Sequence, residues 1–220
     1  MKSFVFGHSS QGLPILAYKF GGVGPRVFII GGTHGNEVEG TVAAYGLIEH
    51  FSISFPFQLN LTIVPAFNID GVLSSNRLNG NGVDLNRNLP TNDWNEKAFN
   101  KKYLPGPFPN SESENKALVQ FLSQFKPHFV LSLHSWFPVL NVNGKCMEEA
   151  MAINKMTGYR IDEYIGYPTP GCLGTYCGLE REMPTLTYEI ERGLNIPDVL
   201  RLHIPAIIEG LKVTERKHTK

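Results

Sequence analysis

Apolar and polar positions along the chain follow two different periods, and the switches between them lay out the elements. Two β-prone runs between Phe4 and Phe20 flank the turn-rich His8-Ser9-Ser10-Gln11-Gly12 and predict a hairpin. Gly21-Gly22-Val23-Gly24-Pro25 breaks the chain before a buried strand over Arg26 to Ile30. From Glu37 to Phe51, Val38, Val42, Tyr45 and Ile48 recur at helical spacing and predict an amphipathic helix. Leu59 to Val64 reads as another strand, ended by Pro65. Asn68 to Pro109 is a long irregular stretch rich in Asn, Gly and Pro. Loops of this length are usually functional or disordered, and the pattern Gly82-Val83-Asp84-Leu85-Asn86-Arg87-Asn88 favours function for residues 76–88. Ser111-Glu112-Ser113-Glu114 places acidic residues at the positive end of a second helix, which runs to about Phe125 before Pro127. Phe129 to Leu133 is a buried strand ending at His134. A loop through Asn143-Gly144 leads to a third helix near Cys146 to Thr157. After the Gly/Pro-rich Gly166 to Gly174 come a short helical piece, a strand over Thr185 to Ile190 and a closing helix from Pro197 to about Val213.

Strands alternating with helices, without internal repeats, indicate an α/β fold: a three-layer α/β/α sandwich around a mixed, mostly parallel sheet. No shift in composition marks a boundary, so residues 1–220 read as one domain.

Composition narrows the function by exclusion. Charged residues make up 18% of the chain and the formal net charge is zero, which argues against a nucleic-acid partner or a polybasic membrane surface. No apolar run approaches the roughly 20 residues of a membrane span, and the N-terminus lacks the apolar core of a signal peptide. Cys146, Cys172 and Cys177 lack C-x-x-C spacing and fit reduced thiols of a cytoplasmic protein.

The candidate chemistry begins at Gly31-Gly32-Thr33-His34-Gly35-Asn36-Glu37, where a buried strand stops at a glycine-rich turn. His34 and Glu37, three residues apart, can point the same way, and an imidazole beside a carboxylate is two thirds of a hydrolytic zinc site. His134 also follows an apolar strand, and ligands in open α/β sheets collect beyond the carboxyl ends of strands. His34, Glu37 and His134 would leave a fourth position for water, whose pKa a zinc ion lowers. A proton acceptor is then needed. In Thr185-Leu186-Thr187-Tyr188-Glu189 polar and apolar residues alternate, so Glu189 shares a face with Thr185 and Thr187, and Glu191 competes for the same role by the same period. Arg77 and Arg87 are permanently charged planar donors suited to a substrate carboxylate or a developing oxyanion, with Asn86 adding an amide donor.

His34-x-x-Glu37, Arg77, Asn86-Arg87, His134 and Glu189 stand in the order found in the M14 zinc carboxypeptidases, and the chain resembles that family from Gly7-His8-Ser9 and Gly12-x-Pro14-Ile15 to the Glu189 strand. Gly82 to Asn88 and Gly166-Tyr167-Pro168-Thr169-Pro170-Gly171 look most like its small bacterial murein peptide amidases, which cleave the γ-D-glutamyl–diaminopimelate bond during cytoplasmic cell-wall recycling.

The resemblance implies one Zn2+ per chain, held by His34, Glu37 and His134, with Glu189 rather than Glu191 as general base. It implies that Arg77 polarises the scissile carbonyl and stabilises the oxyanion, and that Asn86 and Arg87 hold a substrate carboxylate. It further implies a small peptide substrate, a murein tripeptide, with no nucleic-acid or membrane partner. For the tyrosine that digestive members carry near the site, Tyr176 is the nearest match, with Cys177 as an alternative occupant. His134-Ser135-Trp136 is closer to the His-Ser-Tyr of the digestive enzymes than to the His-Ala-Pro associated with murein amidases. The competing expectations are a general carboxypeptidase or deglutamylase, an N-acyl-amino-acid deacylase of the aspartoacylase and succinylglutamate desuccinylase type, and a non-catalytic binder of peptidoglycan fragments.

Overall fold

The computed structural model describes residues 1–98 and 100–218, so position 99 of the predicted irregular stretch lies outside the described residues. Strands β1 (Lys2–His8) and β2 (Pro14–Gly21) form the expected hairpin. They continue into an eight-stranded sheet with β3 (Arg26–Gly31), β4 (Asn60–Val64), β5 (Phe129–Trp136), β6 (Val139–Asn143), β7 (Arg160–Asp162) and β8 (Thr185–Glu191), in the order β1-β2-β4-β3-β5-β8-β6-β7. The centre, β4-β3-β5-β8, is parallel, the β1-β2-β4 edge and the β8-β6 junction are antiparallel, and β6-β7 is parallel. β6 and β7 fall where the sequence predicts only a loop and a connection. β6 is short and carries Asn141 and Asn143 on one face, so its polarity hides it until β8 pairs with it.

Helices α1 (Val38–Ile53), α4 (Met147–Thr157) and α5 (Ile196–His218) pack on one face of the sheet. They close over the core of Val27, Ile29, Leu61, Ile63, Leu131, Leu133, Leu186 and Tyr188. α3 (Ser113–Phe125) covers the other face, where Ile15, Phe28, Ile30, Val64 and Val130 meet Leu118 and Leu122. The alternation along β3 and β5 therefore sends successive side chains into two cores, which makes the arrangement a three-layer α/β/α sandwich.

Two expectations change in detail. The predicted apolar stripe of α1 is only half of its buried face: Ile48 is buried and Val42 packs against the core, but Val38 and Tyr45 are exposed, and Gly40, Ala43, Ala44, Leu47 and Phe51 make up the rest of the buried side. The helix is held on small residues because it lies close to β5. A Cβ at Gly40 would stand 2.5 Å from the Leu133 carbonyl oxygen. The long connection also contains structure of its own: a short helix α2 (Ile69–Ser74) and single 3-10 turns at Leu85–Arg87 and Lys101–Tyr103.

Candidate active site

His34 and Glu37 sit in the turn between β3 and α1, where Glu37 N–H donates to the His34 carbonyl at 3.1 Å and gives the pair the i,i+3 relation expected of a helical turn. The turn is wedged against α2. A Cβ at Gly35 would overlap the Gly71 carbonyl carbon at 1.9 Å, so only glycine lets the two backbones meet. His134 lies within β5 rather than after it, two residues short of the strand's end, and pairs in register with Glu189 on β8. The β8 partner extends the strand past the point where its apolar run stops.

These elements bring His34, Glu37 and His134 together, with candidate ligand atoms all within 4.8 Å of one another. Glu37 Oε1 is 2.9 Å from His34 Nδ1, Glu37 Oε2 is 2.8 Å from His134 Nδ1, and the two Nδ1 atoms are 3.2 Å apart. The outer nitrogens are held: His34 Nε2 by Asp84 Oδ1 at 3.1 Å, His134 Nε2 by Ser132 Oγ at 3.0 Å. An imidazole that donates its Nε2 proton outward presents a bare lone pair at Nδ1. Two such lone pairs converging on a carboxylate repel one another unless a cation lies between them, so the donor set fits a divalent metal, and two nitrogens with one carboxylate suit zinc. Burial alone would raise the Glu37 carboxyl, but His34 and His134 outweigh it and hold the group well below the usual carboxylate range. Asp84 is fully buried, and His34, Arg77 and Arg87 together overcome the cost of that burial and keep it low as well.

Arg77 is anchored on both acids. Its Nη1 lies 3.1 Å from Glu37 Oε1, and its Nε and Nη2 donate to Asp84 Oδ2 at 3.1 and 2.9 Å. Arg87 is buried, and its guanidinium, like that of Arg77, lies over the Tyr103 ring, 5.2 and 5.1 Å from the centroid respectively. The Asn86 side-chain carbonyl accepts from Leu173 N–H at 2.8 Å, which leaves its NH2 as the donor for a ligand.

Glu189 is buried in the same cleft, and its Oε2 has no hydrogen-bond partner among the described residues. Burial and the Glu37 charge push it up to about 7, against the opposing pull of His134, Arg77 and Arg192. Glu191, the competing carboxylate, is exposed beyond the cleft lining. A polar stripe continues from the metal group across three strands on one sheet face. It runs from Ser132 and His134 on β5 through Thr187 and Glu189 on β8 to Asn141 on β6, with Asn143 next along. Asn141, Asn143, Thr175 and Thr187 line the cleft, with Glu163 and Lys102 among the other groups that border it.

Tyr176 is not part of this cleft. It and Cys177 are buried in the second core, within the π-type turn Gly174–Leu179, and the Arg181 guanidinium covers the Tyr176 ring at 3.7 Å. The turn sends the consecutive Tyr176 and Cys177 into the core while Thr175 and Leu179 line the cleft, and the spacing to Glu189 alone does not reveal which side chains face which way. Tyr103, Tyr164 and Tyr167 line the cleft instead, with Tyr167 stacked on Tyr103 at 6.3 Å and edge-on to Trp136 at 5.7 Å. Asp84, Ser132, Tyr103 and Arg192 also escaped the sequence reading. Asp84 lies inside the Gly82–Asn88 motif, and Ser132 is two residues before His134 on the same strand face, so both had a signal. Tyr103 had none, because only the folded loop brings it over the arginines.

The zinc carboxypeptidase family profile matches residues 1–145, a span that holds the metal group, Arg77, Asn86 and Arg87 but not Glu189. The chain is 30% identical to murein peptide amidase A of Vibrio campbellii (strain ATCC BAA-1116) over 199 residues, 84% of this chain and 77% of that protein. It superimposes on the murein-tripeptide amidase from Escherichia coli O157 with a TM-score of 0.80 at 22% identity, covering 98% of this chain and 92% of that one. On carboxypeptidase A from Helicoverpa armigera the TM-score is 0.83 at 18% identity, covering 98% and 68%.

Proposed function

The chain belongs to the zinc carboxypeptidase family, and on that premise we propose that it hydrolyses an amide bond beside a free carboxylate, the γ-D-Glu–meso-diaminopimelate bond of murein peptides. The observation that carries this reading is the polar wall of the cleft. Diaminopimelate ends in an ammonium and a carboxylate, and Asn141, Asn143, Thr175 and Thr187 offer neutral donors and acceptors for both, with Glu163 nearby for the ammonium. A pocket for an aromatic or aliphatic C-terminal residue would be apolar there.

His34, Glu37 and His134 would hold a zinc ion, which would supply Lewis acidity and a water acidic enough to be deprotonated near neutral pH. Glu189 takes the proton of the attacking water on its unpartnered Oε2 and delivers it to the departing amine. Burial raises the proton affinity of this carboxyl, the direction that suits a group that must take up a proton and give it up again. Arg77, fixed by Glu37 and Asp84, donates to the oxyanion as the carbonyl becomes tetrahedral. Asn86 NH2 and the Arg87 guanidinium hold the leaving-group carboxylate, and Tyr167 closes that side of the cleft.

Among the described residues no helix is long and apolar enough to cross a membrane. The three cysteines are buried and unbridged, which suits a reducing cytoplasm and a role in recycling.

The test is a substrate panel on protein reconstituted with one zinc per chain: L-Ala-γ-D-Glu-diaminopimelate, peptides ending in ordinary L-residues, and N-succinylglutamate. The tripeptide should be the preferred substrate, and Glu189→Gln should lower its kcat by about 10²–10⁴-fold with zinc retained. An intact tripeptide together with trimmed ordinary C-termini would replace the amidase reading with a general carboxypeptidase, and turnover of N-succinylglutamate would replace it with a deacylase.

A further inference from the structure

The cleft contains a third guanidinium to which the chemistry above gives no task. Arg192 is the first residue beyond β8, three after Glu189, and its backbone N–H donates to the Trp136 carbonyl at 3.1 Å, which ties it to the end of β5. Its side chain lines the same cleft but is 45% exposed. Its contacts are long: 3.7 Å from Nη2 to Glu37 Oε1 and 3.4 Å to the Asn36 carbonyl oxygen. Glu37 Oε1 is already engaged at shorter range by His34 at 2.9 Å and Arg77 at 3.1 Å. Arg77, by contrast, directs its Nε, Nη1 and Nη2 onto protein acceptors. Arg192 thus brings a permanent charge to the metal group with most of its five N–H donors uncommitted among the described residues.

Its position gives that charge a direction. Arg87 approaches from the 76–88 loop, with Tyr103 and Tyr167. Arg192 enters from a different element, the end of β8, beside Asn36 and Trp136, whose ring meets Tyr167 edge-on. With its leaving-group carboxylate on Asn86 and Arg87 and its carbonyl beside Arg77, a substrate would leave Arg192, the least committed of the three guanidiniums, for its acyl fragment.

We propose that Arg192 is an acyl-side carboxylate subsite, so that the enzyme selects amides flanked by a free carboxylate on both sides of the scissile bond. The inference rests on the amidase reading and sharpens it. In a γ-linked glutamyl residue the free α-carboxylate lies four bonds from the scissile carbonyl carbon, roughly 5 Å when extended. That reach is commensurate with a guanidinium 3.7 Å from an oxygen of the metal group. An ordinary α-linked residue places a neutral peptide group in the corresponding position.

The experiment compares L-Ala-γ-D-Glu-diaminopimelate with the same peptide carrying an amide at the D-glutamyl α-carboxyl, using zinc-loaded protein. Wild type should favour the free acid by about 10–100-fold in kcat/KM, the range of one charge-assisted hydrogen bond. Arg192→Gln should erase the preference, mainly by raising KM for the free acid more than for the amidated peptide, and Arg192→Lys should restore part of it. The ratio of the two substrates matters because the Arg192 charge also acts on Glu189. Any effect passed through Glu189 lowers both substrates equally and cancels. A readout independent of turnover is calorimetric binding of the uncleaved tripeptide to Glu189→Gln protein, which should weaken by the same factor when Arg192→Gln is added. Equal cleavage of both peptides by wild type, or an equal loss on both in Arg192→Gln, overturns the Arg192 assignment alone. Cleavage of neither overturns the amidase reading and the assignment with it.

Discussion

Asp84→Asn is the substitution through which the structure makes its sharpest demand on the site. One carboxylate, fully buried, accepts four hydrogen bonds. Oδ1 takes His34 Nε2–H at 3.1 Å and Asn86 N–H at 2.9 Å, and Oδ2 takes Arg77 Nε and Nη2 at 3.1 and 2.9 Å. An asparagine of the same shape has one oxygen for two pairs of donors. The guanidinium charge draws that oxygen toward Arg77, which leaves the NH2 facing His34 Nε2 and Asn86 N–H. His34 can answer only by moving its proton to Nδ1 and accepting at Nε2, and a protonated Nδ1 cannot ligate metal. Zinc affinity should therefore fall by about 10–100-fold, the usual effect of losing the outer partner of a metal-ligating histidine. Folding stability should fall by about 1–3 kcal/mol for the backbone donor of Asn86 left facing another donor. Competition against a chromophoric chelator reads the first quantity, and urea unfolding of metal-free protein reads the second. Ser132→Ala should cost less at His134, because a hydroxyl can donate or accept and imposes no tautomer. Zinc binding by Asp84→Asn as tight as wild type, with unchanged unfolding, would refute the argument from tautomer and hydrogen-bond count.

Two further predictions concern the scaffold. Alanine normally stabilises a helix relative to glycine by about 1 kcal/mol, yet Gly40→Ala should destabilise by about 1–3 kcal/mol and weaken zinc binding, since its Cβ meets only backbone: Leu133 O at 2.5 Å, Leu133 C at 2.8 Å and His134 N at 3.1 Å. Gly46→Ala on the same helix is the control, because its nearest contacts are Leu200 and Ile204 side-chain atoms that can move, and equal unfolding midpoints for the two variants would contradict the distinction. His203, buried in α5 with its Nδ1 2.5 Å from the Tyr188 hydroxyl, is pushed down to about 4 by burial. In the unfolded chain it returns to about 6.5, so between these values the unfolded state binds more protons and stability rises with pH. The contribution is complete above pH 6.5, has dropped by about 2 kcal/mol at pH 5, and is exhausted below pH 4. Urea unfolding at pH 7 and pH 5 should show that loss in wild type and not in His203→Gln, and parallel acid losses in both proteins would assign the effect to other groups.

The fold was legible wherever side-chain period decided burial. β3, β5 and β8 are apolar enough to declare themselves, and their order across the sheet follows from the crossover helices between them. The reading failed where neighbours decided. α1 touches β5 through glycine and alanine, residues too small to register as an apolar stripe, and so Val42 and Ile48 marked the core side while Val38 and Tyr45 were wrongly added to it. β6 exists because β8 pairs with it, and its Asn141 and Asn143 are polar because they floor a cleft rather than face solvent. The metal group was legible because ligand spacing is local for His34 and Glu37, and because His134 follows a recognisable apolar run. The residues around that group were less so. Tyr167, Tyr103 and Arg192 reach the cleft from three separate segments, and Tyr176 is turned into the core by a turn whose phase the sequence does not display.

The charges of the cleft bear on what kind of substrate it can hold. Arg77, Arg87 and Arg192 carry three positive charges, and Glu37, Asp84 and an ionised Glu189 carry three negative ones, so the protein groups around the metal position balance. At the cleft border Lys102 and Glu163 cancel likewise. A bound divalent cation then leaves the loaded site with its own two charges uncompensated. A substrate with one carboxylate beside the scissile bond neutralises half of that excess, and a substrate with a carboxylate on each side neutralises all of it. In a partly buried cleft the difference is felt more strongly than in water, since attraction grows as the effective dielectric falls. The same balance disfavours cationic C-terminal residues, which would add charge to a site already positive once metal is in place. Association with peptides that carry a carboxylate on each side of the bond should therefore weaken as salt rises, whereas an α-linked peptide with a single carboxylate beside the bond should show a shallower dependence. The guanidinium count thus links the metal group to the proposed substrate choice: with Arg192 removed, the loaded site would be left with a single uncompensated charge, and the proposed preference for a second carboxylate should disappear.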